Sequence, residues 1–146
     1  MHSKGSILKL AKDFDDAIET SQVKRIIPYF HEECTIELLG LTLEGHEGVQ
    51  KWLKWMFEHL SSIRFEPVVV MVEGNVFFEE FIVHGLLNDG EKVQSKQAEV
   101  LVFENSLVKS LRLYFDRLDF ADAVTSGWLT RKIIKKLITE SVKGLV

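Results

Sequence analysis

The sequence contains very few cysteines and prolines. It contains one cysteine, Cys34, and two prolines in 146 residues, so no disulfide can form within the chain. A chain of this length buries about 70% of its unfolded surface and needs neither disulfides nor a structural metal to hold a core. The single thiol and the absence of a signal-like apolar stretch at the N-terminus lead us to expect a cytoplasmic protein.

Charge and hydropathy argue against two classes of partner. Eighteen Lys and Arg residues stand against 22 Asp and Glu, a net charge of -4, so the chain lacks the excess of positive charge that phosphate backbones select. The longest purely apolar run, Pro67 to Val72, is far too short to cross a bilayer. We therefore expect neither nucleic-acid binding nor stable insertion into a membrane.

The hydrophobic pattern changes along the chain from helical to strand-like. Apolar residues recur at intervals of three and four in residues 4–20, in 46–62 and from Trp128 onward, and a shorter helix capped by Ser21 is expected to end at Pro28. Strands are predicted at 35–43, bent around Gly40, and at 63–73, 76–87, 92–104 and 107–118. Early helices and late strands predict the α+β class, with residues 1–126 as the domain and 127–146 as its helical extension.

Four parts of the sequence together resemble a known superfamily. They are the helix–helix–strand start, the segment from Gly45 to Leu53, the strand 100–104 and the run Arg112 to Asp116. They resemble the nuclear transport factor 2-like superfamily over residues 5–122, nearest to its polyketide cyclase-like, ketosteroid isomerase-like and limonene epoxide hydrolase-like members. The resemblance implies a cone-shaped α+β barrel, a pocket between helices and a curved mixed sheet, and a homodimer through the outer face of that sheet.

The resemblance also assigns expected roles to individual positions. Phe14 and Leu38 stand where ketosteroid isomerases carry a catalytic tyrosine and aspartate, so both of those groups are absent. The third acid of that family, which is held protonated, falls at Glu99. The aspartate that polyketide cyclases use as an acid/base group falls at Asp116. The resemblance thus implies Glu99 and Asp116 as catalytic residues.

Strand parity leaves two interpretations open for each acid. Glu99 shares its parity with Leu101 and Phe103, which directs its carboxyl toward the core, unless it opens the strand at a solvated rim or pairs with a nearby lysine. Asp116 has the opposite parity to Phe115, so only a bulge or the end of the strand would turn it inward. Otherwise Asp116 forms a surface ion pair with a neighbouring arginine.

Apolar side chains are expected to form the wall of a ligand pocket. We assign that role to Phe14, Leu38, Trp52, Met56, Leu101 and Phe115, with His84 beside them. His84 is either a proton carrier or, more commonly for such a residue, a hydrogen-bonded part of the core. Paired histidines, paired cysteines and glycine-rich phosphate loops are all absent from the sequence, so we expect neither a metal nor another cofactor.

The tail and the pocket lead to the functional expectations. Five basic residues against Glu140 give the segment from Trp128 a net charge of +4, which leaves -8 for the rest of the chain. Its helix is either a membrane-surface or partner-binding helix, or one that packs its apolar stripe over the cone mouth or on a second subunit. Two functions remain open: acid/base conversion of a small apolar carbonyl molecule, as in cyclases and isomerases, or non-catalytic ligand binding or dimeric interaction with the same fold.

Overall fold

The α+β class is confirmed. A computed structural model describes residues 2–146, apart from the side chain of Asp122. The helices are α1 (Lys4–Glu19), α2 (Val23–Ile26), α3 (Gly45–His59), α4 (Ala121–Val124) and α5 (Trp128–Ser141), with 3₁₀ turns at Ile27–Tyr29 and Arg117–Phe120. The strands are β1 (Phe30–Leu38), β2 (Leu41–Glu44), β3 (Leu60–Glu73), β4 (Val76–Leu87), β5 (Lys92–Glu104) and β6 (Leu107–Phe115).

The six strands form one curved mixed sheet in the order β2-β1-β6-β5-β4-β3. The β1–β6 pair is parallel and every other neighbouring pair is antiparallel. The expectation of a barrel is wrong, because β2 and β3 remain as two edges that do not pair with each other. A register shift between Pro67 and Val69 interrupts β3, and such bulges bend a strand. Pro67 is tolerated there because β3 is an edge strand.

The long helices pack on the sheet through apolar stripes. In α1, Ile7, Ala11, Phe14 and Ile18 are buried at helical spacing, and the helix starts where Ser3 Oγ accepts a hydrogen bond of 3.2 Å from Ser6 N. Helix α3 buries Gly48, Val49, Trp52 and Leu53. A Cβ on Gly48 would lie 2.9 Å from the backbone carbon of Leu43, so glycine permits the close approach of α3 to β2. These contacts hold α1 and α3 over the sheet.

Backbone conformation and strand pairing explain why some helix and strand boundaries differ from the predicted ones. Ser21 does not cap α2, because it adopts a left-handed backbone with φ 56° and Gln22 occupies the N-cap position without a side-chain hydrogen bond. Helix α3 ends at His59, three residues before the predicted end, because Leu60 already pairs with Leu87 on β4. Strand β6 ends at Phe115 instead of residue 118, since the chain turns into the 3₁₀ segment there.

The C-terminal helix α5 forms as predicted, but it does not cover the mouth of the cone within this chain. It follows α4, and none of its residues is buried. Among the described residues, no helix combines the length and the hydropathy that crossing a membrane would require.

Candidate functional site

A cavity lies between α1, α3 and the inner face of the sheet. Its volume is about 730 Å³ up to the open mouth, which suits a small molecule. Its wall is mostly apolar and includes the aromatic residues Trp52, Trp55, Phe65, Phe81, Phe115 and Phe120.

Three carboxyl side chains meet at the inner side of this cavity. Asp15 comes from α1, Glu79 from β4 and Glu99 from β5, and one carboxylate oxygen of each lies within 4.8 Å of the others. Asp15 and Glu99 line the cavity, whereas Asp15 and Glu79 line a groove on the other side of the cluster. Asp15 thus stands between the cavity and the groove.

Strand pairing and helix spacing place these acids together. Glu79 and Glu99 are directly opposite each other on β4 and β5, on the face that also carries Phe77 and Leu101. Asp15 follows Ala11 by four residues on the buried face of α1, so its side chain points toward the same face of the sheet. Glu79 is 2% exposed and Glu99 is 5% exposed, and such burial is rare for an unpaired acid.

Burial favours the neutral form of all three acids. Burial raises the pKa of Asp15 to about 8, and the charge of Glu79 contributes to the increase. Burial raises the pKa of Glu79 to about 7. Burial also raises the pKa of Glu99 well above its usual value, and the charges of Asp15 and Glu79 raise it further.

The cluster forms no ion pair among the described side chains. No Lys, Arg or His nitrogen lies within 4.0 Å of a carboxylate oxygen of Asp15, Glu79 or Glu99 in that part of the chain. Protonation is one way to relieve the repulsion, and a bound cation is another. Three carboxylates at this spacing offer oxygen ligands of the kind that hard divalent cations prefer. The sequence pattern did not indicate this cluster.

Two further polar groups lie in the wall. The Nε2 atom of Gln97 donates to Ser95 Oγ at 3.2 Å, and Ser95 Oγ donates to Asp119 Oδ2 at 2.6 Å, so the Gln97 amide is held in a fixed orientation. The indole Nε1 of Trp52 is buried and has no hydrogen-bond partner among the described atoms. A ligand in this cavity therefore meets a mostly apolar surface with a few polar groups at set positions.

Apart from His84 and Asp116, the residues that the sequence predicted for the site fall into two groups. Glu99, Trp52, Met56 and Phe115 line the cavity. The second group lies in the hydrophobic core and not in the wall, and it comprises Phe14, Leu38 and Leu101. Phe14 belongs to the core because its ring contacts Tyr29 and Phe30 edge to face, at centroid distances of 6.2 and 5.4 Å.

The structure places His84 on the opposite face of the sheet. Its Nε2 lies 2.5 Å from Glu66 Oε2, and Gln94 Nε2 donates to its Nδ1 at 3.0 Å. His84 therefore belongs to a polar network on the outer side of β3, β4 and β5, away from the cavity.

Asp116 also lies outside the cavity. It is exposed, and its Oδ1 accepts a hydrogen bond of 2.9 Å from Leu118 N, which caps the following 3₁₀ turn. The pairing of β6 with β5 runs without a register shift from Ser110 to Phe115, so Asp116 keeps the parity opposite to that of Phe115. Asp116 is therefore a turn-capping residue in this conformation.

Sequence reasoning missed Asp15 and Glu79, although each carries a signal. Asp15 lies four residues after Ala11 and three before Ile18, within the apolar stripe of α1. Glu79 has the strand parity of Phe77 and Phe81. In both cases the signal is an acid at a position where the helix or strand spacing predicts a buried apolar residue. Among the acids, only Glu99 was interpreted in this way.

Comparisons with known proteins agree with the architecture. The profile of the SnoaL-like domain matches residues 11–111. The chain therefore belongs to the SnoaL-like domain family, and its resemblance to the nuclear transport factor 2-like superfamily is confirmed. No curated protein matches the chain.

Solved structures with the same fold are distant in sequence. An NTF2-like protein of unknown function from Burkholderia pseudomallei is 16% identical with a TM-score of 0.73, over 83% of this chain and 98% of that one. AclR, a putative hydroxylase from Streptomyces galilaeus, is 13% identical with a TM-score of 0.72, over 94% and 95%. A hypothetical protein with a ketosteroid isomerase-like fold from Catenulispora acidiphila, in complex with trimethylamine, is 13% identical with a TM-score of 0.70, over 81% and 97%. Identities this low show the fold alone.

Proposed function

We propose that this SnoaL-like protein binds a small apolar carbonyl compound in its cavity and transfers a proton on it with Asp15 and Glu99. The proposal rests on one observation. The two carboxyls come from α1 and β5, line the same cavity, and form no ion pair among the described side chains. An acid that is neutral near pH 7 can donate a hydrogen bond, and an acid with a pKa near 8 can carry a proton in either direction.

The proposed reaction begins with enolisation. Protonated Glu99 donates a hydrogen bond to the carbonyl oxygen, and ionised Asp15 takes a proton from the carbon next to the carbonyl. The electrons of the broken C–H bond form the enolate, whose negative oxygen Glu99 stabilises. Asp15 then holds the proton that the second half of the reaction needs.

The enolate can react onward in two ways, and both account for every atom and for the proton on Asp15. If Asp15 returns its proton to a different carbon, the product is an isomer of the substrate. If the enolate carbon attacks a second carbonyl group of the same molecule, a carbon–carbon bond closes a ring, and the new alkoxide takes the proton. The first outcome corresponds to isomerase-like chemistry and the second to cyclase-like chemistry.

The wall of the cavity supports the choice of substrate. Its aromatic and aliphatic side chains favour an apolar body. The fixed amide of Gln97 supplies an orienting polar contact beside the two acids. Two fold neighbours, a putative hydroxylase and a protein in complex with trimethylamine, support a role in small-molecule chemistry without supplying the reaction.

Hydrogen–deuterium exchange tests this function before the natural substrate is identified. The protein is incubated in D₂O with a panel of cyclic ketones and enones, and exchange of the hydrogens next to the carbonyl is followed by NMR. We expect enzyme-dependent exchange for at least one compound, reduced at least 100-fold by Asp15→Asn and by Glu99→Gln.

Matched controls separate chemistry from folding. Asp16→Asn changes an exposed neighbour on α1, and Glu80→Gln changes an outward-facing neighbour on β4. Both should exchange at the wild-type rate. Unchanged exchange in Asp15→Asn and Glu99→Gln would refute the assignment.

A non-catalytic binding protein is the second candidate. The observation in its favour is that Phe14 and Leu38 lie in the core, so the positions where the resemblance implied catalytic groups supply none. This candidate predicts that ketones raise the melting temperature by binding while no enzyme-dependent exchange occurs.

A further inference from the structure

Glu79 is the acid of the cluster that the proposed reaction does not use. It lines the groove between α1 and β3 and not the cavity, whereas Glu99 lines the cavity and not the groove. Asp15 is the only described ionisable residue that lines both. The three carboxyls therefore form a set that reaches from the cavity to the groove, with Asp15 in both walls.

The groove gives this set a second contact with solvent. Its volume is about 970 Å³ up to its open side. One water molecule takes up about 30 Å³ in the liquid, so the groove has room for many. Lys12, Asp16 and Arg64 in its walls are exposed. A substrate that fills the cavity shields the acids from solvent at the mouth but leaves the groove side open.

The other acids of the groove are already engaged. Asp16 Oδ2 accepts a hydrogen bond of 2.7 Å from Lys12 Nζ, and Glu19 Oε1 accepts one of 2.8 Å from Phe65 N. Glu79 forms no ion pair with any described side chain. Its carboxyl is therefore the one beside Asp15 that is free to accept a proton.

The spacing of the carboxyls suits proton transfer. One oxygen of each lies within 4.8 Å of the others. A single water that hydrogen-bonds to two oxygens spans up to about 5.5 Å between them. Burial raises the pKa of Asp15 to about 8 and that of Glu79 to about 7, so transfer between them needs little free energy. Water is a much weaker base than a carboxylate, so direct transfer from Asp15 to water is less favourable.

We propose that Glu79 relays protons between Asp15 and solvent in the groove while a substrate occupies the cavity. This inference rests on the proposed acid/base function, and Glu79 acts through Asp15 without touching the substrate. The O–H bond of protonated Asp15 breaks as ionised Glu79 gains the proton, and Glu79 then gives that proton to a water in the groove. The reverse path returns a solvent proton to Asp15, which delivers it to the enolate.

The isotopic content of an isomerised product tests the relay. The probe is 3-cyclohexen-1-one, which becomes 2-cyclohexen-1-one when a proton leaves the carbon between the carbonyl and the double bond and another is added at the far alkene carbon. In D₂O, a proton that Asp15 exchanges with solvent is replaced by deuterium, whereas a retained proton returns as hydrogen. NMR at early conversion gives the deuterium at the far carbon per product molecule, which is a ratio and not a rate.

Replacing Glu79 should lower this ratio. We expect most wild-type product to carry deuterium at the far carbon, and Glu79→Gln to reduce that fraction by about fivefold or more. Glu79→Asp keeps a carboxyl and should restore most of the deuterium. Glu80→Gln, an exposed neighbour on β4, should match the wild type.

Narrowing the groove tests the path without changing an acid. Val70 lines the groove and is 41% exposed, whereas Val69 is 42% exposed and does not line it. Val70→Trp should lower the deuterium content as Glu79→Gln does, and Val69→Trp should leave it unchanged.

Failure of the relay is distinguishable from failure of the proposed function. Turnover with wild-type deuterium content in Glu79→Gln, or in Val70→Trp, would overturn the relay alone. If the wild type exchanges ketone hydrogens but does not isomerise the probe, the same variants are compared by exchange rate, because exchange also requires the proton on Asp15 to leave. Equal exchange rates would then overturn the relay. Absence of both activities in the wild type would refute the proposed function and the relay with it.

Discussion

Glu79 and Glu99 are direct partners across the β4–β5 ladder, and both side chains face the inside of the protein. Like charges at directly opposite strand positions destabilise a sheet, and Asp15 places a third carboxyl within 4.8 Å. A structure that keeps three acids here must hold some of them neutral or supply a positive charge from a ligand. The account of this cavity follows from that requirement.

Replacing Glu79 should make its neighbours stronger acids. The charge of Glu79 raises the pKa of both Asp15 and Glu99, so Glu79→Gln should lower both pKa values. Carbon-13 NMR of labelled carboxyl groups measures each titration. Glu80→Gln, on the outer side of the same strand, should leave them unchanged, and equal titrations in both variants would argue against coupling within the cluster.

The acid cluster should make the protein less stable as pH rises. The folded pKa values of about 8 for Asp15 and about 7 for Glu79 exceed the ordinary values of 3.8 and 4.5. Between those limits the folded chain binds protons that the unfolded chain has lost. The free energy of unfolding therefore falls with rising pH, by at most about 1.4 kcal/mol per pH unit for each such group.

Glu99→Gln removes one of these groups and should flatten the pH dependence of stability. Urea unfolding between pH 5 and pH 9 gives the comparison with wild type and with Glu80→Gln. The largest gain of Glu99→Gln over wild type should occur at the alkaline end. If the unfolding free energy of Glu99→Gln varied with pH in parallel with that of wild type, the pKa of Glu99 would not be raised by folding.

Phe14 should be essential for stability and not for chemistry. Its ring is fully buried and contacts two aromatic rings, so Phe14→Ala should cost about 3–5 kcal/mol of unfolding free energy. Leu8→Ala removes an apolar group from the same helix that is 38% exposed and should cost far less. Denaturant unfolding measures both. Equal costs would mean that α1 packs through a different face.

The side chain of Asp116 should stabilise the 3₁₀ turn that follows it, as an N-cap residue stabilises an α-helix. Asp116→Ala removes the acceptor for Leu118 N and should cost about 1 kcal/mol, whereas Asp116→Asn keeps an acceptor oxygen and should cost less. Neither variant should change exchange of ketone hydrogens in D₂O. A 100-fold loss of exchange in Asp116→Asn would show that this residue enters the site during turnover.

The architecture was predictable because its signals are local. The bounds of β4 and β5 match the prediction residue for residue, since β-branched and aromatic runs end at turn sequences on both sides. The inward direction of Glu99 followed from the parity it shares with Leu101. Helix α3 was predicted too long, because Leu60 continues the apolar spacing of the helix but pairs with Leu87 on β4, and Ser62 pairs with Leu86.

The site was less predictable because it joins distant segments. Asp15, Glu79 and Glu99 are brought together by the pairing of β4 with β5 and by the placement of α1 over both, which no short pattern contains. Resemblance directed attention to Phe14, Leu38 and Asp116, positions where relatives carry their catalytic groups. Of the positions that the resemblance implied, only Glu99 belongs to the cluster; Asp15 follows Phe14 by one position on α1, and Glu79 lies opposite Glu99 on β4.

The protonation state of the cavity acids tests the central claim most directly. Carbon-13 NMR of the wild-type protein, with Asp and Glu carboxyls labelled and assigned through Asp15→Asn and Glu99→Gln, follows each group from pH 4 to pH 10. We predict that Glu99 titrates well above the ordinary pKa of a glutamate and that Asp15 titrates near pH 8. Full ionisation of both carboxyls at pH 6 would contradict the account.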